Sequence, residues 1–212
     1  MPITEFVFPF FKPELAKEAH AAAKTAFKHT FSKEPGVLHH GLGYITRHNG
    51  KDITHEYRSV LSIEWQDPSY FHAFYPSSPS YQETMASIVP FAAAKSTPVL
   101  FQNATENKRS LACFQRGATQ VFTGAVGDRV TEVKGAWDDL IAALRKEGRD
   151  VVEWTGLGIE DAKGSWAGVL GWPDIESIDS LVNNDQTSKA VKKLRDIEGV
   201  QEYGIVFDQG EK

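Results

Sequence analysis

The side chains best suited to acid/base chemistry near neutral pH are crowded into the start of the chain. All seven histidines (His20, His29, His39, His40, His48, His55 and His72) fall within the first 72 of 212 residues, and imidazole is the group that titrates closest to neutrality. Alternate residues of an extended strand share a face. His40 and Tyr44 therefore stand together on the run from Val37 to Arg47, and His55 and Tyr57 on the run from Ile53 to Trp65. His72 lies in a helical stretch rich in aromatics, among Tyr70, Phe71, Phe74 and Tyr75. A histidine can take the proton of an acidic phenol or β-keto carbon, and a tyrosine hydroxyl can polarise a carbonyl oxygen. The expected catalytic set is His40, His72 and Tyr57. The expected substrate-binding set is Tyr44, His55, His39, Arg58, Phe71 and Trp65, with Arg58 offering a guanidinium to a carboxylate or enolate.

The same spacing rules exclude other chemistry. His39 and His40 are neighbours on a strand and point to opposite faces, so they are not a metal pair. His20 and His29, nine residues apart on a helix, lie on opposite sides, so at least one is solvated. His48 precedes the hairpin signal Asn49-Gly50 and reads as a turn residue. There is no HExxH, paired-cysteine or P-loop motif, and Gly41-Leu42-Gly43 lacks the third glycine of a dinucleotide loop. No metal site and no cofactor are expected. Cys113, the single cysteine, reads as a small buried apolar residue.

Two recurrences organise the elements that must position these groups. Gly41-Leu42-Gly43 returns as Gly156-Leu157-Gly158, an offset of 115 residues (156 − 41), and Trp65-Gln66-Asp67 returns as Trp172-Pro173-Asp174, an offset of 107 (172 − 65). An insertion of about eight residues before Trp65 reconciles the two offsets, and self-similarity of this kind marks a duplicated unit. Around each copy the order is strand, helix, two strands, helix, strand. The strand from Ile3 to Phe8 and the amphipathic helix from Pro13 to Phe31 recur as Val121–Val126 and as the helix around Trp137–Leu144. Leu111–Phe114 reads as an extra strand. This predicts an α+β protein of two ferredoxin-like βαββαβ units, 1–106 and 107–212. In the repeat alignment Trp154 stands where His39 stood. The second unit has no histidine, which marks the first as the working half and the second as structural.

Composition fits a globular chain with ample core material, 41% hydrophobic with 13 Phe, 6 Tyr and 5 Trp. A net charge of −5 with no basic run longer than two residues argues against nucleic acid as a partner. The opening residues lack a signal-peptide pattern and no apolar run reaches membrane-spanning length. One cysteine excludes an internal disulfide and fits a reducing compartment. A cytoplasmic protein with no membrane partner is expected.

On its element order, the Trp-x-Asp step into a helix and the opening Pro2-Ile3-Thr4-Glu5-Phe6, the chain resembles the dimeric α+β barrel superfamily. The likeness is to its antibiotic-biosynthesis-monooxygenase-like and stress-responsive members, in the tandem form of fungal proteins. The resemblance implies that the two units pair their sheets into one barrel within the chain, giving a pseudo-dimeric monomer or a homodimer of such chains. It places a ligand between one unit's sheet and its helices. The implied activities are cofactor-free oxygenation of phenols, polyketide cyclisation, decarboxylation or dehydration, and haem degradation. The expected function is an enzyme of secondary metabolism acting on an aromatic or polyketide-like small molecule by cofactor-independent acid/base chemistry, as a cyclase, lyase or monooxygenase. The alternatives are a non-catalytic small-molecule-binding or stress-responsive barrel, and a haem-binding monooxygenase with His72 as axial ligand.

Overall fold

Strands whose alternate residues are apolar on both faces must be covered on both, and that requirement shapes the chain. The computed structural model describes residues 1–104, 109–183 and 185–208. The first half runs β1 (Ile3–Val7), β2 (Phe10–Phe11), α1 (Ala16–Phe31), β3 (Val37–His48), β4 (Lys51–Asp52), β5 (Ser59–Trp65), α2 (Pro68–Phe74), α3 (Pro79–Ile88), β6 (Ala92–Ala94) and β7 (Val99–Asn103). The second runs α4 (Leu111–Phe114), β8 (Ala118–Ala125), α5 (Val130–Lys146), β9 (Val152–Gly158), β10 (Ser165–Trp172), α6 (Ile175–Asp179), α7 (Asp185–Asp196) and β11 (Gln201–Phe207).

The main sheet has the order β11-β8-β10-β9-β7-β1-β5-β3-β4, and β11 also pairs with β3. Eight strands thus close into an antiparallel barrel, with the two-residue β4 as an appendage. Each half's last strand crosses to the other half: β7 pairs β1 and β9, while β11 pairs β8 and β3. The protein is a single-chain, pseudo-dimeric α+β barrel of two ferredoxin-like units. At the two seams Gly43 and Gly156 allow the crossing strand to approach. A Cβ at Gly43 would lie 2.9 Å from Ile205 Cγ2 and the Val206 carbonyl oxygen, and one at Gly156 would lie 2.9 Å from Phe101 Cβ.

The barrel interior is filled by Phe6, Ile45, Val60, Phe101, Val121, Trp154, Val169 and Ile205, capped by Cys113 and Phe114 from α4. Outside it, α1, α2 and α3 cover the first half over Ile3, Leu61, Ile63, Trp65 and Leu100, and α5 and α7 cover the second over Phe122, Trp166, Leu170 and Trp172. The Trp-x-Asp repeat is the strand-to-helix step in both halves. Asp67 accepts a hydrogen bond from the Ser69 N–H at 2.9 Å to start α2, and Asp174 accepts one from the Ser177 N–H at 2.8 Å to start α6.

Three expectations need correcting. The strand expected from Ile53 begins only at Ser59, because the Asp52 carboxylate caps the Thr54 N–H at 2.9 Å, a 3₁₀ turn runs from Thr54 to Glu56, and Tyr57 is left-handed at φ 50. His55 and Tyr57 therefore share no strand face. Leu111–Phe114 is a helical turn, not a strand: its coil lets Cys113 and Phe114 both reach the barrel interior. The Gly-Leu-Gly copies are equivalent with a two-residue displacement. Trp154 faces Val169 and Gly41 faces Ser62, and 62 + 107 = 169, so Trp154 stands at the place of Gly41, not His39. The boundary expected at 106/107 lies outside the described residues. The β2–β6 ribbon, in which Phe10 faces Ala94, was not expected.

Phe6 packs ring to ring with Phe8, Phe101 and Phe114 at 5.8–6.3 Å in the barrel centre, with no exposed surface. Phe6→Ala is expected to destabilise the fold by about 3–5 kcal/mol, read as a lowered midpoint in urea denaturation.

Candidate functional site

Helix α1 packs on the sheet through Ala16, Ala19, His20 and Ala23 toward its start and through Phe27 and Phe31 toward its end. The space left is a cavity of about 360 Å³ between the outer face of the first-half sheet and α1, α2 and α3. Val7, Leu61 and Ile63 form its floor. Phe27, Phe31, Phe74, Tyr75, Tyr81 and Ile88 form its walls, and the β2–β6 ribbon with Lys95 and Ser96 lies at its mouth. The Thr30 and Thr84 hydroxyls hydrogen bond at 2.6 Å and tie α1 to α3 beside it.

One ionisable group lines this apolar space from the sheet. Glu5, on β1, is 5% exposed. Its Oε2 accepts a hydrogen bond from the Trp65 indole Nε1–H at 2.7 Å, and Oε1 has no partner among the described residues. Burial pushes its pKa from 4.5 up to about 7, against the opposing pull of the Trp65 bond. The carboxyl is thus poised to gain and lose a proton at neutral pH. Tyr81 stands edge-on to Tyr75 at 5.2 Å. Burial, then Tyr75, then the charge of Glu5 hold its hydroxyl protonated beyond the usual phenol range.

The second half shows what this position is without a cavity. Glu5 faces Ile63 and Gln120 faces Leu170. Since 5 + 115 = 120 and 63 + 107 = 170, Gln120 is the counterpart of Glu5. Trp172 donates its indole N–H to Gln120 Oε1 at 3.2 Å, repeating the Trp65 bond, but Gln120 Nε2 also donates to Glu202, itself bound by Arg195. Leu100 faces Glu5 and Gly204 faces Gln120, so Pro98, two residues before Leu100, takes the place of Glu202 and lines the cavity. On the same side of the second-half sheet Trp137 packs edge-on to Trp166 at 5.4 Å and to Phe122 at 6.1 Å.

The residues expected from the sequence are dispersed around this site. Trp65 and Phe71 are buried in its supporting wall, 6.2 Å apart, and Trp65 holds Glu5. His40 packs against the back of Phe31 at 5.6 Å. Burial, and then His39, push its pKa down to about 4. His39 is on the opposite face, its pKa lowered by burial and by Arg109. Tyr44 stacks on His20 at 3.6 Å, and the exposed Tyr57 stands edge-on to Tyr44 at 6.1 Å, at the far end of α1. There His20 is buried, bonded through Nδ1 to Ser59 at 2.8 Å and through Nε2 to Asp208 at 3.3 Å, while His29 is exposed. Arg58 reaches His48 at 3.5 Å, and His55 is exposed on its turn. His72 is on the outer side of α2, paired with Glu160 at 2.8 Å. None of these nine residues lines the cavity. Glu5, Tyr81 and Pro98 line the cavity without having been expected there; the 115-residue offset carries Glu5 onto Gln120 and Thr4 onto Thr119, an acid-to-amide exchange next to a matching threonine.

The cavity offers no histidine to a haem, and His72 points away from it, so the residues present do not fit a haem held by that axial ligand. Among the described residues no group of three or more His, Cys, Asp and Glu could hold a metal ion, and no helix is long and apolar enough to cross a membrane.

No protein-family model matches the chain and no curated protein is similar to it. Solved structures match it along its whole length. A protein described as anthrone oxidase-like has 13% identity over 100% of this chain and 94% of its own, with a TM-score of 0.64. A provisionally named monooxygenase of Fusobacterium nucleatum subsp. nucleatum has 13% identity over 97% and 92%, with a TM-score of 0.61. Another from Lactobacillus acidophilus NCFM has 12% identity over 99% and 97%, with a TM-score of 0.57. The shared feature is the dimeric α+β barrel fold.

Because the folded pKa of Glu5 lies above its unfolded value, the native state holds the extra proton between pH 4.5 and about 7, and stability falls as pH rises through that window. Glu5→Gln keeps the indole bond through its amide oxygen and removes this penalty. Against the native protein it should gain little below pH 4.5 and up to about 3 kcal/mol above pH 7, measured by urea denaturation at both ends.

Proposed function

We propose that the first-half cavity binds a planar aromatic or polyketide-like compound and that Glu5 is the general base that removes an acidic proton from it. The observation that carries this reading is a buried carboxyl, titrating near neutrality, with one oxygen unpartnered in an aromatic cavity. A base with its pKa at the working pH combines a useful fraction of the charged form with enough driving force for proton transfer. The proton passes from a carbon or hydroxyl activated by a neighbouring carbonyl to Glu5, and the electron pair moves onto that carbonyl oxygen. The aromatic walls hold the flat anion. From such an anion, attack on a second carbonyl gives cyclisation, loss of a leaving group gives a lyase reaction, and reaction with dioxygen gives cofactor-independent oxygenation. Chemistry of this kind belongs to the secondary metabolism of polyketides.

In this reading His40, His72 and Tyr57, expected from the sequence as the catalytic set, support the fold and surface and leave the proton transfer to Glu5. The Gln120 amide has both ends bonded, so the second half offers no counterpart of the Glu5 site and one ligand per chain is expected, which calorimetric titration with a bound aromatic reads directly.

Anthrone is a suitable substrate probe because its ring carbon is acidified by a carbonyl, and with dioxygen it yields anthraquinone and water. Purified protein should speed quinone formation, with turnover rising through pH 7 as Glu5 loses its proton and levelling above it. Glu5→Gln should lower turnover by roughly a hundredfold or more, while His40→Ala and His72→Ala stay near the native rate. Full activity in Glu5→Gln overturns the assignment. Binding of anthrone with no turnover would leave a non-catalytic binding barrel.

A further inference from the structure

We propose that Trp65 is the positioning residue of Glu5: its indole N–H fixes one carboxyl oxygen so that the other faces the cavity. This deepens the reading of Glu5 as the base, and it stands on three features of the geometry. The indole-to-carboxyl bond, 2.7 Å long, is the one hydrogen bond made by the Glu5 carboxyl among the described residues, so no other described hydrogen bond sets the carboxyl's rotation. The indole itself cannot turn. Trp65 has no exposed surface and is wedged among Phe31, Phe71 and Phe74 with ring separations of 5.6–6.2 Å. Its backbone is fixed on both sides, paired with Ile3 in the sheet and followed by Asp67, whose carboxylate caps α2.

The repeat separates the scaffold from the specialisation. Trp172 makes the same bond to Gln120, where the acceptor is an amide and its other end is taken up by Glu202. The tryptophan-to-strand bond is therefore common to both halves, and it holds a free oxygen only where the acceptor is an acid and the cavity is open. A donor on the carboxylate also favours the charged form, so the same bond that sets orientation keeps the base usable at neutral pH instead of leaving it protonated.

Two measurements test this without relying on turnover. In the native protein the Trp65 indole Nε1–H resonance should titrate with a midpoint near pH 7, as Glu5 ionises and the bond strengthens, and should be insensitive to pH over that range in Glu5→Gln. In Trp65→Phe, which keeps an apolar ring and removes the donor, the Glu5 carboxyl carbon should titrate at least about one pH unit higher. An indole proton that ignores pH, or a Glu5 midpoint unmoved in Trp65→Phe, overturns the proposal. With anthrone as substrate, the pH profile of Trp65→Phe should shift upward by the same amount, a change that a merely space-filling ring would not produce. Failure of anthrone turnover with the two titrations intact would remove the proposed reaction while leaving the positioning role in place.

Discussion

A carboxyl group removed from water and held by a single indole N–H is the constraint on which the site depends. Its burial follows from the sheet. β1 lies between β5 and β7, so a side chain on its outer face has strands on either side and helices above it. In that setting a carboxylate loses the hydration that ordinarily keeps it ionised at neutral pH, and one hydrogen bond restores only part of it. The indole can supply that bond because the Trp-x-Asp step holds it still. Asp67 caps α2, the cap fixes where Phe71 and Phe74 fall, and those rings lock Trp65 against the sheet. A polar interaction at a helix start thus bears on which way a carboxyl points in the middle of a neighbouring strand.

The two halves build this arrangement from the same parts to opposite ends. In the second half an amide accepts the indole bond, an ion pair takes up the amide's other end, and Trp137 and Trp166 fill the space under the helix. Every polar atom of the Gln120 side chain there has a partner, which is the arrangement a stable core favours. In the first half an acid replaces the amide, Pro98 replaces the charged neighbour, and the space between the sheet and the helices stays open among Phe27, Phe31 and Phe74. The result is a cavity and a carboxyl oxygen without a partner among the described residues. Buried polar groups left in that state are costly, and a scaffold stabilised by its filled half is well placed to carry one.

The fold was legible because its signals repeat. Alternation along Val37–Arg47 and Trp166–Trp172, the helical stripe from Leu15 to Phe31 and the paired Trp-x-Asp steps each name an element, and their order names the barrel. The location of the cavity followed from the resemblance, and its aromatic character from Phe74 and Tyr75. The site residues were harder to see. Alternation was carried through Ile53–Tyr57, where Asp52 and a left-handed Tyr57 in fact hold a turn, so His55 and Tyr57 were placed on a face that does not form. Glu5 sits in a short strand where a lone acid looks like a solvent-facing residue. Its burial comes from β7, ninety-five residues along the chain at Leu100, and from helices whose distance from the sheet is set by tertiary packing.

The histidines crowd into the half that holds the cavity, yet the ionisable group that lines the cavity from the sheet is a carboxyl, and the sign of desolvation explains how it can titrate near neutrality. Moving an ionisable side chain into an apolar space penalises its charged form. For an imidazole the charged form is the protonated one, so burial drives the pKa down and away from neutrality, as at His40, where it falls to about 4. For a carboxyl the charged form is the deprotonated one, so burial drives the pKa up toward neutrality, as at Glu5, where it reaches about 7. A histidine is the natural near-neutral acid/base on a wet surface. Within a cavity dry enough to hold a planar apolar compound, the group that titrates at neutral pH is the one whose ordinary value lies well below it.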